Sequence, residues 1–242
     1  MTIRLVTYNI HKGIGGVDRR YRLSRIVDTL AHYQADVVFL QEVDDGVPRS
    51  RLHRQVEELA NALQFSHHAF QRNVRLKRGH YGNAILSRFP LRPIWDVDLT
   101  LPLKKRRQAL IAKAIATING RHRVVVLTNL HLGLAGYERA RQLKRLLDCD
   151  PLRNVRHDTP CFVAGDFNDV WGTLGKRLMI PAGFHSASGK IRTFPAFRPV
   201  RSLDSIYYRG GLTLSNAFAG QIKTAKAASD HLPLVADFSL NA

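Results

Sequence analysis

Residues 161–169, CFVAGDFND, run four apolar residues into a glycine and then set Asp166, Asn168 and Asp169 around one phenylalanine. The apolar part reads as a short strand buried on both faces. Gly165 has no side chain, so the backbone there can approach another group closely. On an extended backbone Asp166 and Asn168, two positions apart, point the same way. A carboxylate and a carboxamide aimed together from the end of a buried strand can orient a water and hold an anion beside it. Asp and Asn also suit helix caps and turns, so this stretch alone leaves both readings open.

Working outward, other strands end in the same residue types. Upstream, residues 3–9 (IRLVTYN) form a strand pattern ending at Asn9. Leu23, Ile26, Val27, Leu30 and Ala31 mark one face of a helix. Residues 35–40 (ADVVFL) read as a buried strand with Gln41 and Glu42 at its end, and residues 52–63 repeat the helical spacing. Strand patterns follow at 82–87, 95–101, 109–118 and 123–129, the last with His131 just beyond it, and then a helix at 137–147. Downstream, residues 171–199 are punctuated by Gly and Pro and read as loops with one short helix. Strands are expected at 203–208 (LDSIYY), 212–218 and 232–240, the last preceded by Ser229, Asp230 and His231. No internal repeat, low-complexity run or linker interrupts the chain, which predicts a single domain over residues 1–242. Helices early and late with strands between suggest two packed sheets with helices outside.

The bulk composition narrows the partners. Hydrophobic residues make up 45% of the 242, and no stretch reaches the apolar length of a membrane span. MTIRLVTYNI leads directly into a strand, without the pattern of an export signal. Cys149 and Cys161 form no framework and no metal spacing, which predicts free thiols and a cytoplasmic protein. The net charge is +18, from 37 Lys and Arg against 19 Asp and Glu, in clusters such as Lys104–Arg107. Such a surface attracts polyanions, either nucleic acid or anionic lipid headgroups. The plainer reading is a solvated basic face.

Six apolar strands thus run into polar groups: Asn9, Glu42, His131, Asp166 with Asn168, Asp204, and Asp230 with His231. Together with TYNIHKG, LQEVD, GNAILSRFP, TNLHLGL, GDFND, LDSIYY and SDHLPLVADF, these motifs resemble the endonuclease/exonuclease/phosphatase superfamily over essentially the whole chain. The resemblance implies an α+β, four-layer αββα sandwich of two mostly antiparallel sheets, and metal-dependent hydrolysis of phosphoester bonds. It implies Glu42 as the main ligand of Mg²⁺, with Mn²⁺ as substitute, helped by Asn9 and Asp230. His231 is then the general base or acid, oriented by Asp204; Asp166 and Asn168 orient water and phosphate; His131 donates to the phosphate. Arg107 matches in position a phosphate-contacting arginine, with a plain surface charge as the alternative. Deoxyribonuclease-like relatives pair the histidine at position 131 with a glutamate, but no Asp or Glu lies between Glu58 and Asp96. Asn83 is the neutral residue expected there instead, and with Arg107 completes the phosphate side. His131 disfavours the abasic-site endonuclease branch, which has tyrosine at that position, and Ser205 stands where relatives carry an aromatic.

The substrate stays open among three readings: a nuclease on DNA or RNA, favoured by the charge; a phosphodiesterase on a lipid or small phosphoester; and a basic binding protein with a dead site. The last is disfavoured because every expected catalytic position holds a competent residue. No obligate protein partner is expected.

Overall fold

The apolar runs at 37–40 and 161–164 lack polar alternation because both faces of each strand are covered. Val37 and Phe39 point into a core between two sheets, and Val38 and Leu40 point out toward helices. Phe162 and Ala164 likewise face the inter-sheet core, and Cys161 and Val163 face a second helical layer. These positions come from a computed structural model that describes residues 2–118 and 121–240.

One sheet orders β11 (Leu212–Ala219), β12 (Leu234–Leu240), β1 (Thr2–Asn9), β2 (Val37–Asp45), β4 (His80–Ser87) and β3 (His67–Arg75). The other orders β5 (Leu91–Asp98), β6 (Gln108–Ile118), β7 (Arg121–His131), β8 (Cys161–Asp166), β10 (Asp204–Arg209) and β9 (His185–Ser186). Helices α1 (Leu23–Tyr33) and α2 (Gln55–Ala62) cover the first sheet, and α3 (Gly136–Asp148) with α4 (Asp150–Arg153) covers the second. Helix α5 (Lys223–Ala228) packs on α1. This is the expected αββα sandwich. Pairing is antiparallel except β1 with β2 and β7 with β8. Helix α1 buries Leu23, Ile26, Leu30 and Tyr33, and ends at Gln34 in the left-handed region (φ 48°). In the central core the rings of Phe162 and Phe238 meet edge to face at 4.9 Å; burying each contributes about 1.5–3 kcal/mol.

The two parallel pairs, with the antiparallel pairing of β10 on β8, decide where polar groups gather. Asn9 stands opposite Gln41, His131 opposite Asp166, and Asp204, at the start of β10, opposite Asp166. Both sheets therefore send their polar ends to one end of the sandwich. A buried clamp joins the sheets there. From β7, Asn129 donates through Nδ2 to the carbonyls of Leu40 and Ala84, both at 2.8 Å, and its Oδ1 accepts from Gln41 Nε2 at 2.7 Å. At this point β2 bulges against β4, between Leu40 and Val43, and Glu42 takes φ 58°. The bulge frees backbone carbonyls from the ladder, and the asparagine satisfies them.

Several elements differ from the sequence pattern. β2 runs past the expected end to Asp45, because the bulge turns the strand without ending it. β3 has no sequence signature: its inward residues include Gln71 and Asn73, buried because Gln71 donates to Asp96 at 2.9 Å. β5 lies earlier than the 95–101 pattern, since it is an edge strand whose Arg92, Pro93 and Ile94 are exposed. α5, rich in Ala and Lys, carries too little apolar surface to be read as a helix from pattern. Among the described residues, no helix is long and apolar enough to cross a membrane.

Candidate active site

Asp166, at the end of β8, is the hub of the polar cluster. Its Oδ2 accepts from Asn9 Nδ2 at 3.1 Å and lies 3.5 Å from His131 Nε2 and 3.8 Å from His231 Nε2. Its Oδ1 accepts the Asn168 backbone N–H at 2.9 Å. That bond bends the chain, and Asn168 sits at φ 51°. The extended run expected over 166–168 is therefore an Asx-type turn. Both side chains still border the same cleft, with Asn168 Nδ2 donating to the Leu132 carbonyl at 3.0 Å. Gly165 has φ 143°, and a Cβ there would meet the Leu130 carbonyl oxygen at 2.0 Å. Only glycine lets β8 close on β7 at this point.

Asp204 is fully buried. Its Oδ2 accepts from His231 Nδ1 at 2.8 Å and from Thr193 Oγ1 at 2.5 Å, while its Oδ1 has no hydrogen-bond partner. His231 is further fixed by the Phe194 ring, 4.9 Å away between centroids. Ser229 ties the segment to β1: its hydroxyl donates to the Asn9 carbonyl at 2.7 Å and accepts the His231 N–H at 3.2 Å. Asp230, the residue between them, faces His11 Nδ1 at 3.8 Å.

Across the cleft, Glu42 pairs with the ammonium of Lys12 and accepts a hydrogen bond from the Tyr81 hydroxyl. Lys12 and Arg49 both lie over the Tyr81 ring, 5.7 and 5.5 Å from its centroid. Arg49 is held in turn by the buried Asp44, with contacts of 2.8 and 2.7 Å. Glu42, Arg107, His131, Asp166 and Asn168 share a cleft of about 590 Å³ with Lys12, Arg49, Tyr81, Lys105 and Arg106. A slightly larger hollow of about 610 Å³, around Tyr21, Arg51 and His53, contains none of the strand-end carboxylates. The chemistry belongs to the first.

The charges separate two histidines. Burial and the charge of Arg107 push His131 down to about 4, against the pull of Asp166 and Glu42. It is a neutral donor at pH 7. Burial also works against the charged form of His231, but the charge and hydrogen bond of Asp204, then Asp166 and Asp230, raise it to about 10. In the metal-free protein it is an imidazolium. Burial raises Asp166, with the two histidines and the Asn9 bond working against that rise. Burial acts to raise Glu42 as well, but positive neighbours hold it at about 2. Because His131 is neutral near pH 7, Lys12 is the cation that does so there.

One expected neighbour is elsewhere. Asn83 is buried with its amide donating to Gln71 Oε1 at 3.2 Å and to the Gln108 carbonyl at 3.3 Å, so it neither holds His131 nor borders the cleft. The group nearest His131 Nε2 is instead the carboxyl of Asp166, 3.5 Å away and supplied by the parallel neighbour strand. Arg107 does border the cleft, and its buried Nε has no hydrogen-bond partner. Lys12, Arg49, Tyr81 and Thr193 were not anticipated. Lys12 was visible beside Asn9 as a cation on a strand end; for Tyr81 and Thr193 no pattern signals the contact.

The donors suit a divalent cation. Glu42 is an ionised, mostly buried carboxylate that already accepts one cation, the Lys12 ammonium. Among the described residues one further group gathers ligand-type atoms within 4.8 Å of one another: Asp166, Asp204 and His231. Glu42 and Asp230 lie outside that group. His231 Nδ1 is committed to Asp204, which leaves the unpartnered Asp204 Oδ1 and the Asp166 carboxylate as its hard oxygens.

A buried Asp–His pair, a neutral second histidine and an ionised glutamate, brought together by two packed sheets, equip the chain as a metal-dependent phosphoester hydrolase. Residues 6–231 match the model of the Endonuclease/Exonuclease/phosphatase family, and the chain belongs to that family. The uncharacterized protein YbhP of Escherichia coli K12 is 32% identical over 99% of this chain and 97% of its own length. Nocturnin of Rattus norvegicus is 28% identical over 89% of this chain and 58% of its own. An endonuclease/exonuclease/phosphatase of Beutenbergia cavernae superposes with a TM-score of 0.81 at 22% identity, over 100% of this chain and 72% of that one. A mannosyl-6-phosphatase of Bacteroides thetaiotaomicron gives 0.76 at 14%, over 98% and 99%.

Proposed function

We propose that this chain is a Mg²⁺-dependent phosphodiesterase whose scissile phosphate belongs to a polyanion, with a DNA or RNA strand as the first substrate to consider. The observation that supports it is the cleft itself: Lys12, Arg49, Lys105, Arg106 and Arg107 line the approach to Asp166 and His131. A cation held at Glu42, with Asn9 and Asp230 beside it, would supply Lewis-acid stabilisation of charge growing on the phosphate. The rest falls to side chains. Asp166, with its proton affinity raised by burial, takes a proton from the attacking water. His131 donates to a phosphate oxygen without adding charge of its own. His231, braced by Asp204, gives its Nε2 proton to the leaving oxygen. Arg107 neutralises the phosphate.

A second reading, a lipid phosphodiester, is favoured by one specific feature: large apolar side chains stand exposed on the loops around the cleft, among them Leu134 on its wall.

The test is turnover of bis(p-nitrophenyl) phosphate, duplex DNA, single-stranded RNA and phospholipid vesicles with Mg²⁺, with Asp166→Ala as the contamination control. On nucleic acid, the log of the apparent affinity should fall with log salt, with a slope near about −0.9 per phosphate contact on duplex. Hydrolysis of none of the four, with Mg²⁺ or Mn²⁺, would sink the proposal.

A further inference from the structure

Among the described residues, most of the large apolar side chains left in water are on the loops of the active-site end. Val17 follows Gly16, whose backbone presses against Asp230 so closely that a Cβ would meet the Asp230 Cα at 2.6 Å. Leu103, fully exposed and left-handed (φ 59°), tips the β5–β6 connection that carries Lys105, Arg106 and Arg107 into the cleft. Trp171, 83% exposed, comes three residues after Asn168. Phe197, 73% exposed, and Val200 sit in the turn closed by the Phe194–Arg201 bridge, whose Phe194 ring rests on His231.

Single exposed apolar residues need no explanation. Here they sit on loops that also carry or contact site residues, and cations stand beside them in sequence: Arg19 and Arg20 near Val17, Lys104 and Lys105 next to Leu103, Arg198 between Phe197 and Val200. Among the described residues Arg19, Lys104, Lys105 and Arg198 enter no ion pair. Aliphatic tips such as Leu103 and Val17 offer a nucleic acid no stacking face, and its backbone gives them nothing apolar to bury against. In a bilayer interface they bury methyl and methylene groups while the neighbouring lysines and arginines meet anionic headgroups, and tryptophan favours that depth.

We propose that the active-site end docks on an anionic phospholipid surface, inserting Leu103, Trp171 and Phe197 and turning the cleft toward headgroup phosphodiesters. This rests on reading the cleft as a phosphodiester site, and adds the surface that presents the substrate.

The test uses the full chain and vesicles of phosphatidylcholine with or without about a third phosphatidylglycerol. Wild type should sediment with the anionic vesicles and much less with the neutral ones, less so as salt rises. Acyl chains brominated near the headgroup should quench its tryptophan emission, and Trp171→Phe should remove that quenching. Leu103→Ser/Trp171→Ser/Phe197→Ser should weaken binding at least tenfold, with Tm and turnover of bis(p-nitrophenyl) phosphate unchanged; Leu103→Ser alone gives a smaller loss. Absence of vesicle binding, or equal binding by the triple variant, overturns the docking while leaving the hydrolase reading intact. So does a triple variant that loses DNA affinity instead, or one that only abolishes a dimer seen by light scattering. Vesicle binding without headgroup release supports the docking and removes lipid as the substrate.

Discussion

The two ends of the sandwich are built from the same strands but differ in backbone and charge. At the far end arginines are spent on ion pairs: Arg4 with Asp237, Arg88 with Asp36, Arg156 with Asp158. Two of the non-glycine residues with positive φ, Gln34 and Gln64, follow helices α1 and α2, an ordinary place for that conformation. At the active-site end His11, Lys12, Glu42 and Asn168 all hold positive φ. Left-handed conformations cost an L residue energy, and they persist where the surroundings over-determine them. Here the Asn129 clamp, the Lys12–Glu42 pair and the Asx turn do so. The far end has ordinary backbone, while the active-site end holds left-handed residues and, beside the paired Lys12 and Arg49, carries Arg19, Lys105 and Arg198 outside any ion pair among the described residues.

The sharpest way to break this contrast is at Asp204 and His231. His231→Ala should lower kcat by roughly 10²–10⁴, and Tm should fall too, because buried Asp204 loses its charged partner. Asp204→Asn should lose a comparable amount, and the double variant should lose little more than either alone, because the two residues act as a unit. Losses that add in log units would separate Asp204 from the chemistry.

Glu42→Gln keeps shape and removes charge. Activity should drop on the order of a hundredfold at low Mg²⁺ and partly return at high Mg²⁺. Undiminished turnover in excess chelator would remove the metal from this site.

Asn129→Ala probes the clamp. It strands the carbonyls of Leu40 and Ala84, at about 1–3 kcal/mol for each buried group left unsatisfied, while the Gln41 amide keeps Thr7 and the Phe39 carbonyl as acceptors. Urea denaturation should register that loss, and kcat should fall with it as the Glu42 bulge relaxes. A stability loss with kcat intact would mean that the clamp holds the sheets but does not position Glu42.

Acid sharpens the comparison further. His131 binds its proton more weakly folded (about 4) than free (6.5), so its neutral form stabilises the fold. That contribution is complete above pH 6.5 and is lost as pH falls from 6.5 toward 4. In chelator, His131→Gln should flatten this part of the stability profile; an unchanged acid limb would count against a buried neutral His131. The smallest effect belongs to the far end, where Arg156→Ala breaks a fully exposed pair and should leave Tm and kcat unaltered.

The sequence alone determined the sheet class and most of the polar strand ends, because both rest on local signals. Short runs buried on two faces and bounded by turn residues, as at 161–164, point to a covered strand, and Asn9, His131 and Asp166 close such strands, whereas Asp204 opens β10. What sequence could not determine is what meets across the chain. Asn83 was a reasonable neighbour for His131 by residue type, yet the parallel pairing of β7 with β8 hands that place to Asp166. Tyr81 beside Glu42, and Thr193 beside Asp204, lie 39 and 11 residues apart in sequence and are joined only by packing. β3 was invisible because its buried side chains are amides, acceptable in a core only once partners such as Asp96 are present. The same holds for the exposed rim: Leu103, Trp171 and Phe197 are ordinary apolar letters in three separate loops, and only the register of the strands carries those loops to one end of the molecule.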